Sequence, residues 1–246
     1  MEPTPAQPVS VVLLASNEAL TIEQEVRSFH ASIIRRLPGS ELIVAEDGST
    51  DGTPGILCAL KEELGIVHLS CPDRKGYARA LREAALAASN DLIFFSDTGL
   101  KHDPEDFWTL YRQAGNYDLV VGRKTGRKDQ LYRRLLTWGY NLFLRTTFSL
   151  REVRDADSGF RLFNRKVVDQ VFRPGLRFKS LVGSEVVLRT LAAGLRYGEV
   201  PVSYAQRVGI SKGMPVNSIA RQIRTVLRDL RALRAELAQG RGTGLG

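Results

Sequence analysis

Residues 91–106 read DLIFFSDTGLKHDPED. An apolar run at 92–95 gives way to a lone Asp97 and then to polar, turn-forming residues. The run is far shorter than the ~20 residues of a membrane-spanning helix. Bounded by turn signals, it predicts a parallel strand buried on both faces. Ligands of open α/β sheets sit beyond the carboxyl ends of such strands. Asp97 therefore either faces a crevice or does a local job, ending the strand or capping a helix that begins near Pro104.

Outward from this stretch, strands and helices alternate. Residues 9–15 (VSVVLLA) and 41–45 (ELIVA) are apolar, strand-like runs, and 66–69, 118–122, 158–164 and 196–204 supply further strands. Ser16 or Asn17 is placed to cap a helix running to about Arg36, with Ile22, Val26, Phe29 and Ile33 at helical spacing. Further helices are predicted to end at Leu64, where Gly65 stops the pattern, and over 76–88, 129–150, 184–193 and 215–238. Such alternation implies right-handed crossovers and an α/β fold, a mostly parallel sheet flanked by helices. The expected organisation is a disordered lead-in at 1–8, one domain at 9–214, a basic amphipathic helix at 215–238 and a flexible tail at 239–246.

The 246 residues are 43% hydrophobic and 25% charged, ordinary for a globular chain with a substantial core. Cys58 and Cys71 have neither metal-ligand nor disulfide-framework spacing, which argues for a reducing compartment. The Pro-rich MEPTPAQP start lacks the pattern of a signal peptide. A cytoplasmic location is expected, with peripheral contact at the cytoplasmic membrane face as an option. The net charge of +8 implies an anionic partner, and two basic clusters carry most of it. One lies between Arg123 and Arg134. The other lies after Arg207, where Ile219, Ile223, Val226, Leu227, Leu230, Leu233 and Leu237 alternate with arginines in an amphipathic pattern. That helix fits an anionic membrane, a partner helix or its own domain equally. Nucleic acid is not expected, since no recognised module or stacking stretch is present.

The loop after the second strand, EDGSTDGT at 46–53, is acidic and turn-forming. Asp47 at a strand end suits a ribose hydroxyl or a base N–H, and Ser49 or Thr50 also suits a helix cap. Neither a G-x-G-x-x-G loop nor a Walker motif occurs, so both common nucleotide-binding folds are disfavoured.

LLASNE, VAEDGSTDGT, RKGYARAL, FFSDTG, DADSGFRLF and RVGISKG follow one another in that order. This series resembles glycosyltransferase family 2, and within it the polyprenyl-phosphate (dolichyl-phosphate) glycosyltransferases. The resemblance spans roughly 9–215. It implies a GT-A fold, a nucleotide-diphosphate sugar donor and a polyprenyl-phosphate acceptor. It implies donor contacts at Ala15, Asn17, Glu18, Asp47, Lys75, Asp97 and Thr98. It places Asp157 on the sugar and acceptor side, with Arg161 ordering the site, and Arg207 and Lys212 on the donor phosphates. Arg127 and Arg133 are expected to meet the acceptor phosphate. Glu185 matches an acidic residue opening a helix, where a helix-dipole role is equally plausible.

The resemblance also implies Mg2+ or Mn2+ at Asp97. Gly99 departs from it, standing where the second carboxylate of the Asp-x-Asp motif belongs. His102 and Asp103 are the nearest further ligands in sequence. The expected reaction is inverting hexose transfer to a polyprenyl phosphate. The rivals are a same-fold glycosyltransferase with a soluble acceptor and a non-catalytic nucleotide-sugar-binding protein.

Overall fold

The computed structural model describes residues 7–126, 131–148, 150, 153–178, 180–208 and 219–242, with side chains left undescribed at 131–137, 219–222 and 238–242. Seven strands form one sheet: β1 (Val9–Ala15), β2 (Glu41–Asp47), β3 (Val67–Cys71), β4 (Leu92–Asp97), β5 (Leu119–Lys124), β6 (Phe160–Asn164) and β7 (Tyr197–Val202). Their order is β3-β2-β1-β4-β6-β5-β7. β6 runs antiparallel to both β4 and β5, and the other pairings are parallel. The mostly parallel α/β sheet expected from the sequence is thus present.

Period-2 geometry sends alternate side chains of β1 to opposite faces. Val9, Val11 and Leu13 pack with Ile22, Val26 and Phe29 of α1 (Ile22–Ser32) and Leu57 of α2 (Thr53–Leu64). Val12 and Leu14 pack on the other face with Ala80, Leu81, Ala84 and Ala85 of α3 (Tyr77–Ala87). Burial on both faces is why these strands read as unbroken apolar runs.

Three capping expectations are corrected, one of them at Ser49 or Thr50: α2 begins at Thr53 behind Gly52, with no side-chain cap, and Ser49 Oγ accepts from the Asn17 N–H instead. α1 begins at Ile22 rather than just after Asn17, and Thr21 precedes it without a side-chain cap. Asn17 instead sits at φ 53°, and its Oδ1 accepts from the Thr50 N–H at 2.8 Å. It ties the β1 loop to the β2 loop, which is incompatible with capping a local helix. The helical turn at Pro104 is capped by Asp103, which accepts from the Glu105 N–H at 2.9 Å, so Asp97 is free of that task. That turn leads into α4 (Phe107–Tyr111).

After β5 comes α5 (Leu131–Phe148); after β6, the short α6 (Arg165–Val167) runs into a π-helical turn, and α7 (Val182–Ala192) follows. The last helix, α8 (Ile219–Gly242), continues past Ala238. Its Leu230 and Leu233 are buried in the core beside Val186 and Val187 of α7, and Arg189 bridges Glu185 and Glu236. Of the arrangements open from sequence, packing on its own domain is what its apolar face does. Arg224, Arg228, Arg231 and Arg234 point outward. Among the described residues, no helix is long and apolar enough to cross a membrane.

Candidate active site

From β1 the chain moves one way across the sheet to β2 and β3, then returns to place β4 on the other side of β1. A crevice opens where the order reverses, at the carboxyl ends of β1 and β4. Leu14 and Asp97 are register partners there, and the Thr98 hydroxyl donates to the Leu14 carbonyl at 2.7 Å. Ala15 is buried at the end of β1.

Asp97 has two protein partners. The Tyr77 hydroxyl donates to Oδ1 at 2.8 Å, and the Lys101 ammonium lies 3.0 Å from Oδ2. Burial alone raises the Asp97 carboxyl, but the Lys101 charge and hydrogen bond, with help from Tyr77, hold it at about 2. The Asp97 N–H donates to the Gly159 carbonyl at 2.7 Å. A Cβ on Gly159 would lie 2.1 Å from Asp97 Oδ2. Glycine is therefore required opposite Asp97, which explains the Gly of the DSG motif.

The 155–159 turn is held from below by Arg161. This nearly buried guanidinium donates to the carbonyls of Ser158, Gly183 and Ala156 at 2.5, 2.6 and 3.0 Å. It orders the site, as the sequence suggested, without reaching into it. Asp155 pairs with Lys124 at 3.5 Å. Asp157 has no hydrogen-bond or ion-pair partner among the described residues. Burial pushes its carboxyl up to about 6; Arg161 and Lys124 oppose this, while Asp97 and Asp155 add to it. Glu185 is fully buried and accepts from the N–H groups of Arg177 and Phe178, so it anchors a loop.

The segment around Arg207 docks on the turn after Asp97. Ala205 N–H donates to the Lys101 carbonyl at 2.8 Å, and Val208 N–H to the Gly99 carbonyl at 3.2 Å. Arg207 hydrogen-bonds and ion-pairs with Glu18, and its Nη1 donates to the Thr98 carbonyl at 3.4 Å. Lys212 lies outside the described residues.

On the β2 side, Asp47 accepts from the N–H groups of Lys75, at 2.6 Å, and Gly76. The Lys75 ammonium turns away to Glu83 at 2.8 Å. Asp47, Glu46, Leu69, Cys71 and Lys75 line a small pocket beside the crevice. The expected donor residues thus surround one edge of the sheet, but Asp47, Thr98 and Lys75 are each engaged with the protein itself.

The family model described as Glycosyl transferase family 2 matches residues 10–172. The chain belongs to glycosyltransferase family 2. It is 34% identical over 213 residues to Glycosyltransferase AglD of Haloferax volcanii, covering 80% of this chain and 33% of that protein. It is 25% identical over 206 residues to undecaprenyl-phosphate 4-deoxy-4-formamido-L-arabinose transferase of Salmonella enteritidis, covering 82% of this chain and 61% of that protein. The chain thus spans only part of the length of these curated relatives. In structure it is similar to glucosyl-3-phosphoglycerate synthase from Mycobacterium tuberculosis in complex with Mn2+, UDP and glucosyl-3-phosphoglycerate. The TM-score is 0.68 at 24% identity, covering 92% of this chain and 80% of the other. That likeness establishes the GT-A fold.

Of the two residues expected to meet the acceptor phosphate, Arg127 lies outside the described residues, and Arg133 lies in α5 with its side chain outside them. Further along α5, Trp138 is 65% exposed, and Leu142 and Phe143 are exposed beside it. The helix therefore carries an apolar outer patch downstream of a basic segment.

The solved neighbour's complex contains Mn2+, a divalent ion. Such ions want several hard oxygen ligands. Here Asp97 is the one carboxylate of the motif, and both its oxygens are already engaged. Asp103 is a cap. His102 is tucked between Phe160 and Tyr204, and burial drives its imidazole down to about 3. Among the described residues no group of three or more His, Cys, Asp or Glu gathers. The described residues do not fit a divalent ion.

Sequence reasoning missed three residues that build this site. Lys101 lies four positions after Asp97, and Tyr77 directly follows the Lys75-Gly76 turn; both spacings are visible once the crevice is known. Glu25 of α1 is the third. It accepts from Gly99 N–H at 2.8 Å and also from Leu100 N–H, holding the turn, and burial pushes its carboxyl up to about 7 against those bonds. Nothing in its helical context marks it.

Proposed function

We propose that the chain is an inverting glycosyltransferase that moves a hexose from a nucleotide-diphosphate sugar to a polyprenyl phosphate. The observation that carries this is the gathering of Asp97, Lys101, Asp157 and Arg207 at the switch point of a GT-A sheet. The lipid acceptor is supported by the Salmonella relative, whose name specifies undecaprenyl phosphate. The basic segment before the exposed Trp138 patch suits a phosphate on an apolar chain. The patch and the outward arginines of α8 also support contact with an anionic membrane surface.

A phosphate monoester is already ionised at neutral pH. Its oxygen attacks the anomeric carbon from the face opposite the nucleotide; the new C–O bond forms as the bond to the diphosphate breaks, so the centre inverts. No proton has to be removed, and catalysis rests on positioning and charge. In this reading Arg207 and Lys212 face the departing diphosphate. Asp157, ionised at neutral pH and without a partner among the described residues, faces the sugar and the acceptor phosphate. Asp47 holds the Lys75-Gly76 turn as a wall of the nucleotide pocket. Arg127 and Arg133 meet the acceptor phosphate. Mg2+ or Mn2+ at Asp97, supported in general by the Mn2+ of the solved neighbour, is not used in any step, because the donor set does not fit it.

A second reading has one specific support. The solved neighbour's complex contains a water-soluble phosphorylated product, so the same fold serves a soluble acceptor. The test is transfer from a panel of nucleotide sugars to undecaprenyl phosphate, with Asp157→Asn as control. A solvent-extractable glycolipid that disappears in the control is expected. No extractable product from any donor would overturn the lipid reading.

A further inference from the structure

The turn after Asp97 is occupied by cations where the motif of its family resemblance has a carboxylate. Gly99 is at φ 103°, and the side chain of Arg207 lies across it. A Cβ there would come within 2.9 Å of Arg207 Cγ and 3.1 Å of Cζ, so no larger residue fits without displacing the arginine. Arg207 Nε is buried without a hydrogen-bond partner among the described residues. Two residues further on, the Lys101 ammonium is 3.0 Å from Asp97 Oδ2, with its side chain only 14% exposed. The Lys101 backbone is fixed as well, because its carbonyl accepts from Ala205 N–H. Lys101 thus has a fixed seat between the aspartate and the Arg207 segment.

We infer that Lys101, seated against Asp97, and Arg207, laid over Gly99, supply the positive charge that a nucleoside diphosphate needs here, so that the donor binds without a divalent cation. The inference rests on the donor-site reading above. Two cations balanced by Asp97 and Glu18 give the same formal sum as a divalent ion on two carboxylates. A divalent ion at Asp97 would compete with Lys101 for the same carboxylate and be repelled by it at short range. In transfer, the bond from the anomeric carbon to the diphosphate breaks with its electron pair going to the diphosphate oxygen. The acceptor phosphate oxygen supplies the pair for the new bond, and no proton or redox partner is required. Lys101 and Arg207 stand on the side where that charge accumulates, as fixed donors that need no reorganisation.

The test is calorimetric titration of UDP and of GDP into the full chain, once in EDTA and once in MnCl2, with free Mn2+ followed by paramagnetic resonance. Whichever nucleotide binds is expected to do so with dissociation constants within about threefold in the two buffers, a small difference on the free-energy scale. The free Mn2+ signal is expected to be the same with and without protein. Lys101→Gln is expected to weaken binding about tenfold in EDTA, as for loss of a charge-assisted contact, and Lys101→Arg to restore most of it. Binding that requires Mn2+, with the free-ion signal falling as protein is added, would overturn the inference and leave the glycosyltransferase reading intact. Unchanged affinity in folded Lys101→Gln would also overturn it. Binding of neither nucleotide in either buffer would overturn both.

Discussion

Arg207 lies directly over Gly99, 108 positions earlier in the chain, and the absence of a side chain at Gly99 is what admits it. The contact is reinforced by the Val208 N–H on the Gly99 carbonyl and by Glu25 on the Gly99 N–H. The glycine in the Asp-x-Gly motif is therefore a packed position, not a gap. Restoring the carboxylate tests this. Gly99→Asp places an L side chain at φ 103° and drives it into Arg207, at a cost of about 1–3 kcal/mol in backbone strain. The expected result is lower thermal stability and weaker nucleotide binding with no gain in Mn2+ affinity, read by calorimetry.

Gly159 is constrained in the same way by a different group. Its missing Cβ leaves the space that the Asp97 carboxylate fills at 2.1 Å. Gly159→Ala is expected to destabilise the fold by about 1–3 kcal/mol, the usual range for overpacking. Transfer activity should fall further than stability explains, because Asp97 must move. Chemical denaturation and initial rates on the same sample separate the two effects.

Asp157 sets a pH dependence. Its carboxyl is raised to about 6 by burial, with Asp97 and Asp155 adding to the rise and Arg161 and Lys124 opposing it. It is protonated below that value and ionised above it. If the ionised form is the active one, the rate per donor bound rises through about pH 6 and levels off by neutrality. Asp157→Asn should be slow across the range, with that inflection absent. A raised carboxyl also removes stability as pH rises from about 4 to 6, so Asp157→Asn should gain stability relative to the native chain at pH 7.

Asp97 has the opposite sign. Lys101 and Tyr77 hold it at about 2 despite burial, so it favours the folded state at all pH values above its ordinary range. That contribution fades as pH falls from about 4 towards 2. Removing the ammonium in Lys101→Gln leaves burial as the dominant influence, and the Asp97 carboxyl should move up. Carboxyl carbon NMR of the two proteins reads the change directly.

Arg161 carries no expected role in chemistry but holds three carbonyls from inside the core. Arg161→Ala strands those acceptors and leaves a hole, with an expected loss of roughly 2–5 kcal/mol. Arg161→Lys should recover little, since an ammonium cannot span the three positions.

The strands were legible because burial on both faces forces apolar runs, and the crevice because Asp97 interrupts one of them. The antiparallel direction of β6 was not legible. Residues 158–164 alternate like any strand, and a period of two is the same in either direction. Capping by Ser16 or Asn17 was a sound local inference defeated by a contact with Thr50, 33 positions away. The site motifs were readable as segments, but not which groups within them face a ligand. Asp47 and Thr98 turn out to bind the protein's own backbone, while Lys101 and Tyr77 became visible only when α3 and the 99–101 turn were brought together around Asp97.

The acceptor is decided by direct competition between a lipid and a soluble phosphate. Labelled sugar from the active donor is offered simultaneously to undecaprenyl phosphate in detergent and to 3-phosphoglycerate in water, and the label is partitioned between organic and aqueous phases. Label in the organic phase, as an acid-labile sugar on the lipid phosphate with inverted anomeric configuration, is the result expected. Label confined to an aqueous phosphoglycerate product would contradict the lipid acceptor and establish the soluble one.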